Sequence, residues 1–441
     1  MKPKYTGSET EKARANFPFS VSLVPLELIY TIAEIKKAAV LANIHTGKLD
    51  QVRGEAIGKA ADEIIVGKHD GEFYLPYLQG GAGTSINSNV NEVIAFRAQE
   101  LILADGKQLN VHPNDHVNLS QSTNDVNPSA LRIVCIRLTQ KIEVSCQSLI
   151  GTLKKLANKY KAVPKLGRTH LQDAVPTTAG AEFSAYAKIV ERNLEKIKEV
   201  IPFLYQLNLG GTAIGNSINA PKSYLNHLYK ILPRVVNMPV KKGENLMALT
   251  SSQSDFLSLS QSVTTLMMDF SKMASDIRFM ASGPQGGIGE LTLPELQKGS
   301  TIMPGKVNPI IPEAVNQAFF VISGNNLAIE QAAHGAEMEL GIMFPTISAK
   351  LIDSLKLAAE VIKVFDEKCL QGLVVNEKRC RELLEKSSAY ATLLTPVLGY
   401  DKVSNIVKDA ISSGKSIREY VLSNKLMSAD DFESALHLEI K

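Results

Sequence analysis

Between Thr250 and Ala281, the apolar residues Phe256, Leu259, Val263, Leu266, Phe270, Met273, Ile277 and Met280 recur at unbroken steps of three or four. That period places them in one stripe along an α-helix. At 1.5 Å rise per residue the helix would run roughly 45 Å, well beyond the usual length of about 11–12 residues. Its Phe and Met residues therefore read as core, not as a ligand box.

Four further segments carry the same period. One follows Pro128 with Leu131, Val134, Leu138, Ile142, Cys146, Leu149, Leu153 and Leu156, and stops before Pro164. Another runs from about Glu182 to Leu204 with Phe183, Tyr186, Val190, Leu194 and Ile197. A fourth starts near Pro312 with Val315, Phe319 and Ile322, and a fifth carries Leu351, Leu355, Ala358, Ile362, Phe365 and Cys369. Five long helices joined by Gly/Pro loops predict a mainly α chain built on a long central helical bundle. Helices of this length are expected to pack against other subunits as well as one another. The predicted organisation is an N-terminal shorter-helix domain over 1–122, the central bundle over 123–375 and a small charged helical domain over 376–441. β-strand signals are weak, amounting to one or two short hairpins.

The 441 residues suffice for about three units and a sizeable core. Apolar residues make up 44% and charged residues 21%, the balance of a soluble globular protein. A net charge of +3 argues against nucleic-acid binding driven by bulk charge, and leaves room for a small basic pocket that takes an acidic metabolite. Cys135, Cys146, Cys369 and Cys380 have no CxxC spacing and sit in apolar helical patterns, so buried reduced thiols are expected. The N-terminus has no apolar signal core and no apolar run reaches the about 18 residues of a membrane span. A cytoplasmic protein without membrane contact is expected.

Four polar stretches interrupt the helices: QGGAGTSINSNVNE (79–92), NLSQSTNDVNP (118–128), GRTHLQDAVP (167–176) and GSTIMPGKVNP (299–309). Singly, each reads as cap and turn chemistry. Together they supply neutral donors, one lysine and one histidine, an inventory suited to a small dianion with several oxygens. Gly299 and Gly305 are one residue too far apart for a phosphate-binding P-loop, and Lys306 is followed by Val307. The glycines of SGPQGGIGE (282–290) follow a helix, not a strand, which argues against a dinucleotide fingerprint, although they would permit a lid. His112 and His116 in HPNDH lack a third ligand, so no metal and no cofactor are expected.

GSTIMPGKVNP resembles the signature loop of the fumarase/aspartase superfamily, and the other three loops resemble that superfamily's segments in the same order. The C-terminal LGYDKVSNIVKDAISSGKSIREYVL (398–422) is similar too. Within the superfamily, QGGAGTS, LPELQKGS and IIPE resemble aspartate ammonia-lyases, with class II fumarase as the alternative. A lyase of a related amino acid and an inactive scaffold stand further off. The resemblance implies a homotetramer with a twenty-helix core whose active sites each draw on three subunits.

It also implies residue roles in the elimination of ammonia from L-aspartate through an aci-carboxylate intermediate. Ser300 would be the catalytic base. Lys306 and Asn308, with Thr169, would hold the α-carboxylate. Ser122, Thr123 and Thr301 would meet the β-carboxylate, and Thr84, Asn124 and His170 would surround the amino group, with Glu313 in support of His170. Thr301 stands where many members have a second serine, adding a methyl group at the substrate. HPNDH resembles a secondary anion site near His112, Asn114 and Asp115.

Overall fold

The computed structural model describes residues 4–435, so the outermost ends of the 1–122 and 376–441 segments lie outside the described residues. All five predicted helices are present, as Thr123–Lys159, Ala179–Leu204, Ser254–Met280, Ile310–His334 and Phe344–Phe365. The chain is mostly helical. Every residue of the 256–280 stripe is at most 7% exposed, as the unbroken three-four spacing requires. Cα packing divides the chain into two compact units. One holds the residues up to 143 with 195–267 and 320–359, the other 144–194, 268–319 and the residues from 360 on. Each of the five long helices contributes residues to both.

In the first unit the Leu26–His45 helix packs against Gln51–Ile65 and Lys222–Val235. Leu28, Ile29, Ile32 and Ile35 bury its apolar side completely or nearly so. In the second unit the C-terminal helices close a core of Leu384, Leu394, Val403, Ile406, Ile417, Val421 and Phe432, with Leu166 added from the 164–169 strand. All four cysteines are buried. No helix among the described residues is long and apolar enough to cross a membrane.

Two details differ from expectation. The second long helix begins at Thr123, before Pro128. Pro128 has no N–H for the carbonyl of Asn124, which would leave that oxygen without its helical donor. The Asn208 side-chain amide donates to it instead at 3.0 Å, so the helix tolerates the proline. GRTHLQDAVP is not an interhelical coil but a hairpin, Pro164–Thr169 paired antiparallel with Gln172–Thr178. Two other strand pairs are only two residues long on each side: parallel Gln206–Leu207 with Lys241–Lys242, and antiparallel Leu291–Thr292 with Val374–Val375.

The hairpin turn consists of His170 and Leu171, with φ of 54° and 59°. This is the twist-compatible two-residue turn in which both central residues are left-handed, a role normally filled by Asn-Gly. A side chain there costs about 1–2 kcal/mol. Leu171 is 65% exposed, so packing does not demand it. Leu171→Gly should relieve that strain while adding about 0.5–1 kcal/mol of unfolded-chain entropy. A net gain of about 0.5–1 kcal/mol is expected, read as a raised thermal midpoint; a lowered midpoint would show that the leucine is held by contacts outside the single chain.

Candidate active site

The first unit gathers two of the four loops around the start of the Thr123–Lys159 helix. Thr84 opens the Thr84–Ala104 helix, and its hydroxyl donates to the Gly81 carbonyl at 2.7 Å. Gly83 precedes it at φ +80°, where a Cβ would stand 2.7 Å from the Asn127 side-chain nitrogen. That nitrogen instead donates to the Gly83 carbonyl at 3.0 Å, tying the 79–92 loop to the 118–128 loop.

Ser122 caps the helix: its Oγ accepts from the Asn124 amide at 3.3 Å, and Asp125 reaches back to accept from the Ser122 amide at 2.9 Å. Asp125 thus supplies the returning half of a capping box, while the Ser122 hydroxyl takes the amide one residue earlier than in the full motif. Thr123 is buried beside it. Asn124 Nδ2 donates to the Ala213 carbonyl at 2.8 Å, which turns its Oδ1 into the atom left to accept from a ligand ammonium or hydroxyl. A cleft of about 730 Å³ opens here, lined among others by Asp115, Asn118, Gln121, Ser122, Thr212 and Asn216. Asn114 also lines it, so HPNDH borders the same cleft as Ser122. His112 and His116 each spend Nδ1 on a backbone amide, of Asp115 and His112 respectively. Among the described residues no cluster of three metal-ligating side chains occurs.

The second unit carries the other two loops. Thr169 and His170 stand exposed at the hairpin tip. The hairpin's base is held by buried charge. Glu290, 0% exposed, takes both arms of the Arg168 guanidinium at 3.0 and 2.9 Å and lies 3.0 Å from Lys165 Nζ. Lys165 also meets Glu182 at 2.7 Å. Burial pushes the Glu182 carboxyl above its ordinary range, with Lys165 opposing the shift. Two cations and two carboxylates therefore neutralise one another beneath the turn.

GSTIMPGKVNP folds back on itself. Asn308 Nδ2 donates to the Gly299 carbonyl at 2.7 Å, and a Cβ on Gly299 would fall 2.0 Å from the Lys306 carbonyl oxygen. Only glycine lets the two ends of the loop meet. Inside the loop, the amides of Ile302 and Met303 both donate to Ser300 Oγ at 3.2 Å. Two backbone dipoles aimed at one hydroxyl oxygen favour its anion, which is what a serine needs to accept a proton. Thr301 and Lys306 face solvent, and no carboxylate lies in ion-pair distance of Lys306 among the described residues. Glu313 Oε1 lies 3.9 Å from Arg278 Nη2, and no hydrogen bond joins it to His170 within the chain.

Three comparisons accompany this geometry. A family model described as "Lyase" matches residues 1–324, and one described as "Fumarase C C-terminus" matches 391–440. The chain belongs to the fumarase/aspartase superfamily of lyases. It is 39% identical to aspartate ammonia-lyase of Bacillus subtilis, across 98% of this chain and 91% of that one. It is 37% identical to class II fumarate hydratase of Brucella suis, across 99% and 95%. Among solved structures of the superfamily, it resembles a fumarate lyase:delta crystallin from Brucella melitensis bound to cobalt, with TM-score 0.92, 38% identity and coverage of 98% and 94%. A class II fumarase from Schistosoma mansoni superposes with TM-score 0.92 at 33% identity, covering 99% and 95%.

The lyase fold also brings forward residues that reading the sequence did not single out. Asp125 lay inside a quoted loop, but its neighbours Ser122 and Asn124 drew the attention. Lys36 left one trace, a lysine inside the apolar run of Leu26–His45. Arg168 and Glu290 also lay inside quoted stretches, but their pairing left no trace, because an ion pair separated by 122 residues has no local pattern.

Proposed function

We propose that this lyase is an aspartate ammonia-lyase, converting L-aspartate reversibly to fumarate and ammonia. The observation that carries the reading is Ser300 Oγ under two backbone amides in the signature loop. A serine so placed takes the C–H proton next to the β-carboxylate, and the charge spreads onto that carboxylate as an aci-carboxylate. Donors that meet those oxygens lower the barrier by about 2.7–4 kcal/mol each; Ser122, Thr123 and Thr301 take that role. Lys306, Asn308 and Thr169 hold the α-carboxylate. Thr84, Asn124 and His170 surround the amine, where the free Asn124 Oδ1 suits an ammonium with three N–H donors. Glu313 supports His170 from another copy of the chain.

The active assembly is a homotetramer in a cytoplasmic setting, with each site shared among three subunits. Two features support that. Thr169, His170, Thr301 and Lys306 are exposed in the single chain. The Ile310–His334 helix leaves Val321 and Leu327 at 53% and 59% exposure, more apolar surface than one copy covers. A solution mass about fourfold that of the chain would agree, and a monomer would contradict it.

Class II fumarase is the second reading, favoured by relatives of that activity at similar identity. Ultraviolet formation of fumarate from L-aspartate and L-malate, measured in parallel, separates the two. Turnover of aspartate alone is expected. Turnover of malate alone would replace the ammonia-lyase with the hydratase, and silence with both would point to a related amino acid or an inactive scaffold.

A further inference from the structure

We infer that Asp125, backed by the buried Lys36, is the positioning residue that sets the 118–125 loop against the 208–217 loop and so fixes where Ser122 and Asn124 present themselves to a substrate. This inference deepens the proposed reaction and rests on it. One oxygen of the Asp125 carboxylate accepts from the Ser122 amide at 2.9 Å. The other accepts from the amides of Gly210 and Thr212, each at 2.9 Å. A single side chain thus ties together two loops separated by about eighty residues of chain. Nearby bonds depend on that junction: Asn124 Nδ2 to the Ala213 carbonyl, Asn208 Nδ2 to the Asn124 carbonyl, and Asn208 Oδ1 from the Ser129 hydroxyl. Thr212 sits at φ 57°, a left-handed backbone that a threonine adopts only when its surroundings impose it.

Lys36 is the second half of the device. It is 0% exposed and donates to Asn118 Oδ1 at 2.7 Å, at the other end of the same loop. Asn118 passes the constraint on by donating to the Gln121 carbonyl. Burying both charges opposes folding. Desolvation pushes the Asp125 carboxyl up to about 6, and the three amides and the Lys36 charge pull against that shift. Desolvation lowers the Lys36 ammonium to about 7, with Asp125 opposing. The other titratable groups whose field reaches Asp125 are Tyr224 and Tyr229 of the Lys222–Val235 helix, both raised well above their ordinary range by burial and hence neutral. Buried charges whose desolvation opposes folding are expected where a local rule yields to function.

The sign of the pH effect follows. The Asp125 carboxylate anchors three amides only when ionised, so the junction loosens as pH falls through about 6. Removing the Lys36 charge raises that carboxyl further, so the acid side of the activity profile moves to higher pH.

The test uses the full-length wild type, Asp125→Asn and Lys36→Met. Fumarate binding is measured by calorimetry, and kcat and KM on whichever of L-aspartate or L-malate the wild type turns over. Asp125→Asn should weaken fumarate binding and raise KM at least about tenfold, with helicity unchanged by circular dichroism, because Ser122 then wanders from the carboxylate. Lys36→Met should shift the acid limb of kcat/KM upward by about one pH unit. If Asp125→Asn does not fold, the Lys36→Met profile decides alone. Wild-type fumarate affinity retained in Asp125→Asn, or an unmoved acid limb in Lys36→Met, overturns the inference. A wild type that neither binds fumarate nor turns over either substrate instead overturns the proposed reaction, a result visible before any variant is compared.

Discussion

Ser300→Ala should lower kcat by roughly 10²–10⁴-fold, the contribution of a positioned general base, while the fold stays intact. The two amides that now donate to Ser300 Oγ lie in an exposed part of the loop, so water can replace the lost acceptor. A stability change within about 0.5 kcal/mol is therefore expected. The combination is diagnostic: a stable protein with unchanged circular dichroism that has lost turnover places the proton transfer on Ser300. A variant that keeps more than half of its wild-type kcat would remove the serine from the chemistry and leave it as an ST-type turn residue, a common use of the same geometry.

Glu290→Gln should cost about 3–5 kcal/mol of stability, the usual consequence of taking one partner from a buried ion pair. The arithmetic of the cluster explains why the loss is not made good nearby. Lys165 keeps Glu182 at 2.7 Å, but Arg168 loses both of its carboxylate contacts at once. Glutamine preserves volume, so the cost reads as electrostatic and not as a cavity. Arg168 directly precedes Thr169 and His170, and Glu290 opens the segment that continues into the signature loop. Turnover should therefore fall together with the denaturation midpoint. A midpoint shift equivalent to less than about 1 kcal/mol would mean that solvent reaches the cluster and screens it as it screens surface pairs.

How much was legible beforehand depends on the range of the interaction. The apolar stripe from Phe256 to Met280 named its own helix because backbone hydrogen bonds are local and burial selects side chains at the helical period. The same holds for the other four long helices. Pro128 misled by only a few residues. The proline does remove a hydrogen bond, but Asn208 replaces the donor from eighty residues away, and nothing in residues 123–128 announces it.

The hairpin at 164–178 was read as a loop for a related reason. Its turn carries His170 and Leu171 in place of the Asn and Gly that normally signal such a turn. Two left-handed non-glycine residues are affordable only if the strands beneath them are held, and Glu290 supplies that hold through Arg168.

By itself the sequence determined the helical class, the five long rods and the four polar loops between them, since each of these is written in neighbouring residues. The signature loop even contained its own closure, with Gly299 and Asn308 nine residues apart. Only the tertiary structure decided what holds those loops in register: Asp125 across the 118–125 and 208–217 loops, Lys36 behind Asn118, and Glu290 beneath the His170 turn. These are buried charges whose partners come from distant parts of the chain. A charge reveals its function through desolvation and through the groups that satisfy it, and both exist only after the chain has folded.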